Sequence, residues 1–417
     1  MDSCGRPFIP LARPTLGAEE ERAVAEVLRS GWVSQGPRVA EFERRLAEFL
    51  GCRFVRAVNS GTSALTLALK ALGIGPGDSV VVPAFTCAAT ALPVLALGAE
   101  AVFADVDPST LNVAWAGVEA ALRRNTKAVV LVHLFGRMAD AAGLAARCRE
   151  RGIHLVEDAC LALGAKQAGR AAGTIGVAGC HSFHPRKIIT TGEGGAVCTD
   201  DEALAQSVES DRNYGAASSS WARFQKGEGS LRGFERLAFN FKLTDLQAAV
   251  GIVQMGRLPG FLAERRRLVA IYRSALADIP GIVVPAPAEP EEDACQAMVC
   301  LWAPARQLVV RPSGRKDTGL SPHYEQELGA AVASREAIRA GLVARAIAFS
   351  DAAQFLPELP VFGGSGPGDD GPQAGQWPVA FLAARLAFAL PLFPGMTPEV
   401  VERVCQAVRE AARGAAP

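Results

Sequence analysis

Between residues 55 and 200 the chain repeats one pattern: a short apolar run, a turn, then a segment with helical spacing. The runs are FVRAVNS, SVVVPAF, EAVFADVD, AVVLVHLFG, IHLVEDAC, GCHSFHP and GGAVCTD. The segments between them include Ser63 to Leu72, Ala114 to Leu122 and Ala139 to Arg151. Strands that are apolar on both sides need both faces covered. The alternation therefore predicts an α/β fold, with a mostly parallel sheet sandwiched between helices.

The chain has 417 residues and is 49% hydrophobic, enough for a large domain with a smaller companion. Residues 1–255 are expected to form the large domain, and 256–417 an interdomain helix and a small C-terminal domain. Residues 244 to 280 read as two long helices separated near Pro259, with Thr244 and Gln247 at capping-box spacing. The stretch IPGIVVPAP then breaks toward the small domain, which begins near 285. Residues 286–294 and 363–376 read as loops, and 295 to 323 shows little periodicity.

Lys+Arg and Asp+Glu both number 43, so no net charge draws the chain to nucleic acid or a membrane surface. No signal-like N-terminal run and no spanning apolar stretch is present, which predicts a soluble, cytoplasmic protein. The ten cysteines form no C-x-x-C pair and no zinc spacing, so no metal is expected and buried free thiols are.

Three local features carry chemistry. In VNSGTSAL a strand turns into a helix at Asn59-Ser60-Gly61-Thr62. Free N–H groups, a glycine and a hydroxyl make an anion seat there, although an ordinary capped helix start would look alike. Asp158 ends the strand run of IHLVEDAC, where open α/β sheets gather ligands. It could serve a metal, a ribose hydroxyl or a protonated ring nitrogen, or simply cap a helix. Lys187 follows a further strand in SFHPRKIITTGEGG, where most lysines are merely solvated. Together the three match what pyridoxal 5'-phosphate (PLP) requires. It needs a phosphate site, a carboxylate at its ring nitrogen and an amine to hold its aldehyde as an imine.

These stretches, with IPLARPTLGAEEERAVAEVLRSGWVSQGP, VVVPAFTCAATA, RNYGA, FNFKLTDLQAAVG and LPLFPGMT, resemble the DegT/DnrJ/EryC1/StrS family of PLP-dependent sugar aminotransferases. The resemblance implies the aspartate-aminotransferase-like fold, fold type I. It assigns the imine to Lys187, the ring nitrogen to Asp158, and the phosphate to Gly61, Thr62 and Ser182. It also implies a homodimer with shared sites, in which Asn240 reaches the neighbouring subunit's phosphate. Cys87 stands where the family commonly has a ring that stacks on the cofactor. Leu161 stands where it often has a glutamine able to bond the cofactor's phenolic oxygen. Both positions bear on how the cofactor is tuned.

The resemblance further implies transfer of an amino group from an amino acid, glutamate in this family, to a keto sugar, most often nucleotide-linked. His184 and Tyr214 are candidate cleft residues, and Glu193 lies in the glycine turn. Two alternatives stand beside this reading. One is a PLP-dependent keto-sugar dehydratase, whose known family representative has histidine at the lysine position. The other is a non-catalytic binding or regulatory protein of the same fold.

Overall fold

The computed structural model describes residues 7–216, 220–227, 234, 236–285, 292–303, 322–364 and 375–415. The expected loops at 286–294 and 363–376 fall largely outside them. The apolar runs become the strands β1 (Phe54–Val58), β2 (Ser79–Pro83), β3 (Phe85–Thr86), β4 (Glu100–Ala104), β5 (Thr126–Val132) and β6 (His154–Asp158). A two-residue hairpin, β7 (Lys166–Gln167) and β8 (Arg170–Ala171), precedes β9 (Ala178–Ser182) and β10 (Gly195–Thr199). The main sheet has seven strands in the order β1-β10-β9-β6-β5-β2-β4. From β4 to β9 it is parallel; β10 and β1 close one edge antiparallel.

Helices cover both faces, as the apolar runs demand. On one face α3 (Gly61–Ala71), α4 (Leu92–Ala96) and α7 (Glu202–Asp211) pack on Val80, Val82, Val130, Val156, Cys180 and Val197. On the other, α5 (Trp115–Ala121) and α6 (Ala141–Glu150) pack on Val81, Val129, Leu131 and Leu155. There too, α2 (Pro37–Leu50) and α9 (Asp245–Leu276) cover Val55, Ala57, Ala196 and Cys198. The helix α1 (Ala18–Ser30) lies against α9, and the short α8 (Ser220–Gln225) falls between α7 and α9 in the chain.

The sequence predicts two helices around Pro259; the structure shows one, running from Asp245 to Leu276 with Pro259 inside it. An interior proline costs about 3 kcal/mol. Buried Leu258, Phe261 and Leu262 on the same turn offset this by packing into the core. The capping box at Thr244 and Gln247 forms as expected.

A second sheet combines β11 (Ile282–Val283), β12 (Met298–Trp302), β13 (Ser350–Asp351) and β15 (Ala387–Leu390) in the order β11-β12-β15-β13. Trp302, Phe388, Leu390, Val404 and Val408 share a core there with Leu268 and Tyr272 of α9. Around it run α10 (Pro322–Ala344), α11 (Pro378–Leu386) and α12 (Pro398–Ala415). The short β14 (Gln354–Phe355) leaves this region and pairs with β3. No helix among the described residues is long and apolar enough to cross a membrane.

Candidate active site

Strand pleating decides what faces what. Successive side chains alternate, so Asp158 shares the α3 face with Val156, while Glu157 points to the opposite face with Leu155. On the neighbouring β9, Cys180 and Ser182 lie on the α3 face and His181 on the other. Asp158, Ser182 and the start of α3 are thus brought to one side of the sheet.

The approach is close. Ser60 caps α3 by accepting the Ser63 N–H. A methyl group on Gly61 would stand 2.8 Å from both Cys160 Sγ and Ser182 Cβ, so only glycine fits. The Gly61 and Thr62 N–H groups find no acceptor among the described residues, and Thr62 is exposed. The turn therefore presents open donors beside the half-buried Ser182 hydroxyl, the arrangement a phosphate needs.

Lys187 follows β9 by five residues, on the turn that begins at Ser182. Its backbone N–H bonds the His184 carbonyl at 2.8 Å, which folds the turn that carries it. Cys160 reports the neighbourhood. Burial pushes its thiol well above the ordinary value; the Asp158 charge adds to the rise and the Lys187 charge opposes it. Both charges therefore act on a sulfur that also touches the Gly61 position.

Asp158 is buried, 5% exposed. Oδ1 accepts the Cys160 N–H at 3.2 Å and Oδ2 accepts the Thr90 hydroxyl at 2.8 Å. Cys87 is exposed, just past β3 and three residues before the buried Thr90 that closes the turn. Leu161 is half-buried against the apolar cluster of Phe85 and Phe135.

The other face of β6 holds a buried hub. Glu157 Oε1 accepts the Ile175 and Gly176 N–H groups at 2.6 Å each. Oε2 accepts the Gly173 N–H at 2.9 Å and pairs with His133 Nε2 at 2.8 Å. His133 Nδ1 accepts the Ala139 N–H, so Nε2 carries the proton toward Glu157. Burial would raise the Glu157 carboxyl, but His133 and the Gly176 and Gly173 amides outweigh it and hold it below 4.5. Burial draws nearby His181 down to about 4, so it stays neutral.

Asn240 is exposed and pairs through its backbone with Asn213. The next residue, Phe241, accepts the Asn59 N–H at 2.9 Å, so the segment borders the seat. No described hydrogen bond joins the Asn240 side chain to Lys187, Asp158, Gly61, Thr62 or Ser182. His184 Nδ1 accepts the Arg186 N–H, and Nε2 lies 3.9 Å from Glu193. Tyr214, at φ 62°, lies under the Lys242 amine at 4.0 Å.

Several contributors escaped the sequence. Thr90 holds Asp158, and Gln354 of β14 accepts the Ala88 N–H at 2.8 Å just before it. Gln296 donates to the Arg186 carbonyl beside Lys187 at 2.5 Å. Each acts across more than 60 residues, and only the Thr86-x-x-x-Thr90 spacing in the first carried a local signal. A cavity of about 460 Å³ lined by Arg345, Ile347, Glu399 and Arg403 lies away from all of these.

The profile of the DegT/DnrJ/EryC1/StrS aminotransferase family matches residues 14–409. The chain belongs to that family. It is 34% identical over 410 residues to the spore coat polysaccharide biosynthesis protein SpsC of Bacillus subtilis (strain 168), covering 98% of each chain. It is 32% identical to DesV of S. venezuelae, solved in complex with a ketimine intermediate, with a TM-score of 0.81 and 98% and 99% coverage. It is 29% identical to DesI, solved in the presence of its TDP-sugar product, with a TM-score of 0.78 and 98% and 94% coverage. The protein is accordingly a PLP-dependent sugar aminotransferase, with the aspartate-aminotransferase-like fold that the sequence resemblance implied. The open donors at Gly61 and Thr62, the buried Asp158 and the nearby Lys187 fit PLP.

Proposed function

We propose that the enzyme moves an amino group from L-glutamate to a keto sugar carried on a nucleotide. One observation carries the reading: the Gly61 position meets both Cys160 and Ser182, and Cys160 follows Asp158 by two residues and donates its N–H to Oδ1, so phosphate seat and ring acid adjoin, with the Lys187 charge near the same sulfur. The TDP-sugar named for DesI supports the nucleotide-linked acceptor.

PLP, when bound, supplies an aldehyde that carries the amino group and a ring that withdraws electrons. Gly61, Thr62 and Ser182 would bind its phosphate. Asp158 would hold the proton at its ring nitrogen. Lys187 Nζ would hold its aldehyde carbon and, once released by substrate, move a proton at the substrate carbon as base and acid. Cys87 would border the ring without stacking on it.

The site is completed, in this reading, by a second copy of the chain, with Asn240 reaching the partner's phosphate. Exposed apolar residues near Asn240 support it: Phe234 is 60% exposed, Leu237 85% and Phe239 36%. The protein works in the cytoplasm on this view; its nine described cysteines are all free thiols, as a reducing compartment keeps them.

Purified protein should be yellow and should release 2-oxoglutarate from glutamate, with both lost in Lys187→Ala. Acceptor screening by product mass should show a net gain of nitrogen. A deoxygenated sugar without nitrogen would favour the dehydratase; a colourless protein unable to take up PLP would favour the non-catalytic alternative. Mixing Asn240→Ala with Lys187→Ala subunits should rebuild some intact sites, and no recovery in verified mixed dimers would count against sharing.

A further inference from the structure

Thr90 is a buried threonine, 1% exposed, whose hydroxyl lies 2.8 Å from Asp158 Oδ2. A second buried hydroxyl, Thr86 Oγ1, lies 3.2 Å from it. A hydroxyl has one proton. The ionised carboxylate can only accept, so the Thr90 proton goes to Oδ2, and Thr86 must donate to Thr90. The three groups form a directed chain ending on the acid.

The chain is anchored at both ends. Thr86 pairs with Gln354 of β14 in strand register, and the Gln354 side chain holds the Ala88 N–H. The Thr90 N–H bonds the Cys87 carbonyl at 2.9 Å, closing the turn. On the far side the Cys160 N–H fixes Oδ1 at 3.2 Å. One donor on each oxygen sets the carboxylate plane and leaves each oxygen a further lone pair.

We propose that Thr90 is a positioning residue, which orients Asp158 so that a free lone pair serves the cofactor's ring nitrogen. The inference rests on the function proposed above. A packing role predicts something different, because replacing the hydroxyl by a methyl would then affect both ligands below alike, or neither.

The test is titration of full-length apoprotein with PLP, and with its carbocyclic analogue bearing C–H in place of the ring nitrogen, followed by protein fluorescence. Thr90→Val should weaken PLP binding about tenfold, as expected for losing a hydrogen bond to a charged group. Binding of the analogue should stay as in wild type, and Thr90→Ser should restore PLP binding. Equal loss toward both ligands would overturn the proposal in favour of packing, and so would no loss toward PLP. If Thr90→Val does not fold, Thr90→Ala is read by the same comparison. A wild type that binds neither ligand would instead overturn the reading of the whole site, so the two failures are told apart.

Discussion

Replacing Glu157 by glutamine keeps the shape of the buried hub and changes only what it can accept. The carboxylate receives four donors: Ile175 and Gly176 on Oε1, Gly173 and His133 on Oε2. An amide turns one of those oxygens into an NH2 group. Two donors then face a donor in a site with no water access, since Glu157 is 0% exposed. Each buried group left unsatisfied costs about 1–3 kcal/mol, so Glu157→Gln should lose about 2–6 kcal/mol of unfolding free energy at pH 7. The pH dependence is more decisive. The folded carboxyl lies below its ordinary 4.5, so its contribution is fully present above 4.5 and is lost as pH falls through the folded value. Urea unfolding of both proteins from pH 7 to well below pH 4.5 should show the gap narrowing in the acid part of the range, as wild type weakens and the variant does not follow. A gap under about 0.5 kcal/mol at pH 7 would refute the reasoning, being within the scatter of ordinary surface substitutions. A gap that stays constant into acid would refute it too.

Gly61→Ala should leave the fold near intact but sharply weaken PLP uptake, because the new methyl meets Cys160 and Ser182 at 2.8 Å; absorbance titration of apoprotein reads this, and unchanged affinity would contradict the proposed phosphate seat. The Lys242 amine lies over the Tyr214 ring, buried and without a hydrogen-bond partner among the described residues, and burial, with Arg212 and Arg223 nearby, draws it down to about 8. The unfolded chain then holds more protons than the folded one between about pH 8 and 10.5, so stability attributable to this residue rises with pH across that window. Lys242→Met should remove that rise in a comparison of urea midpoints with wild type.

Most of the large sheet was legible because its signal is local: apolar runs, turns and helical spacing recur within about 30 residues of each other. The capping box at Thr244 was legible for the same reason. The single long helix through Pro259 was not, since the proline is a local breaker and the burial of Leu258, Phe261 and Leu262 that overrides it is tertiary. The second sheet was obscure because its strands are short, and three of the four have partners more than 35 residues away. Thr90 was missed because its role depends on a residue 68 positions later.

Glu157 and Asp158 show how far the local reading goes and where it stops. Two adjacent acids at a strand end look like one acidic feature. The pleat gives them opposite faces, and the faces give them opposite work. Glu157 ties the 173–176 loop and the His133 turn to the back of β6, while Asp158 meets Thr90 and the Lys187 side of the sheet. The two acids are also tied through His133, whose ring bonds Glu157 and whose N–H donates to the Asp158 carbonyl at 3.1 Å. The anchoring of one acid therefore limits the movement of the other. A perturbation at Glu157 should reach cofactor binding without touching the cofactor side. The Glu157→Gln protein should accordingly lose PLP affinity at denaturant concentrations well below its unfolding transition, and unchanged affinity in that range would show that the two faces act independently.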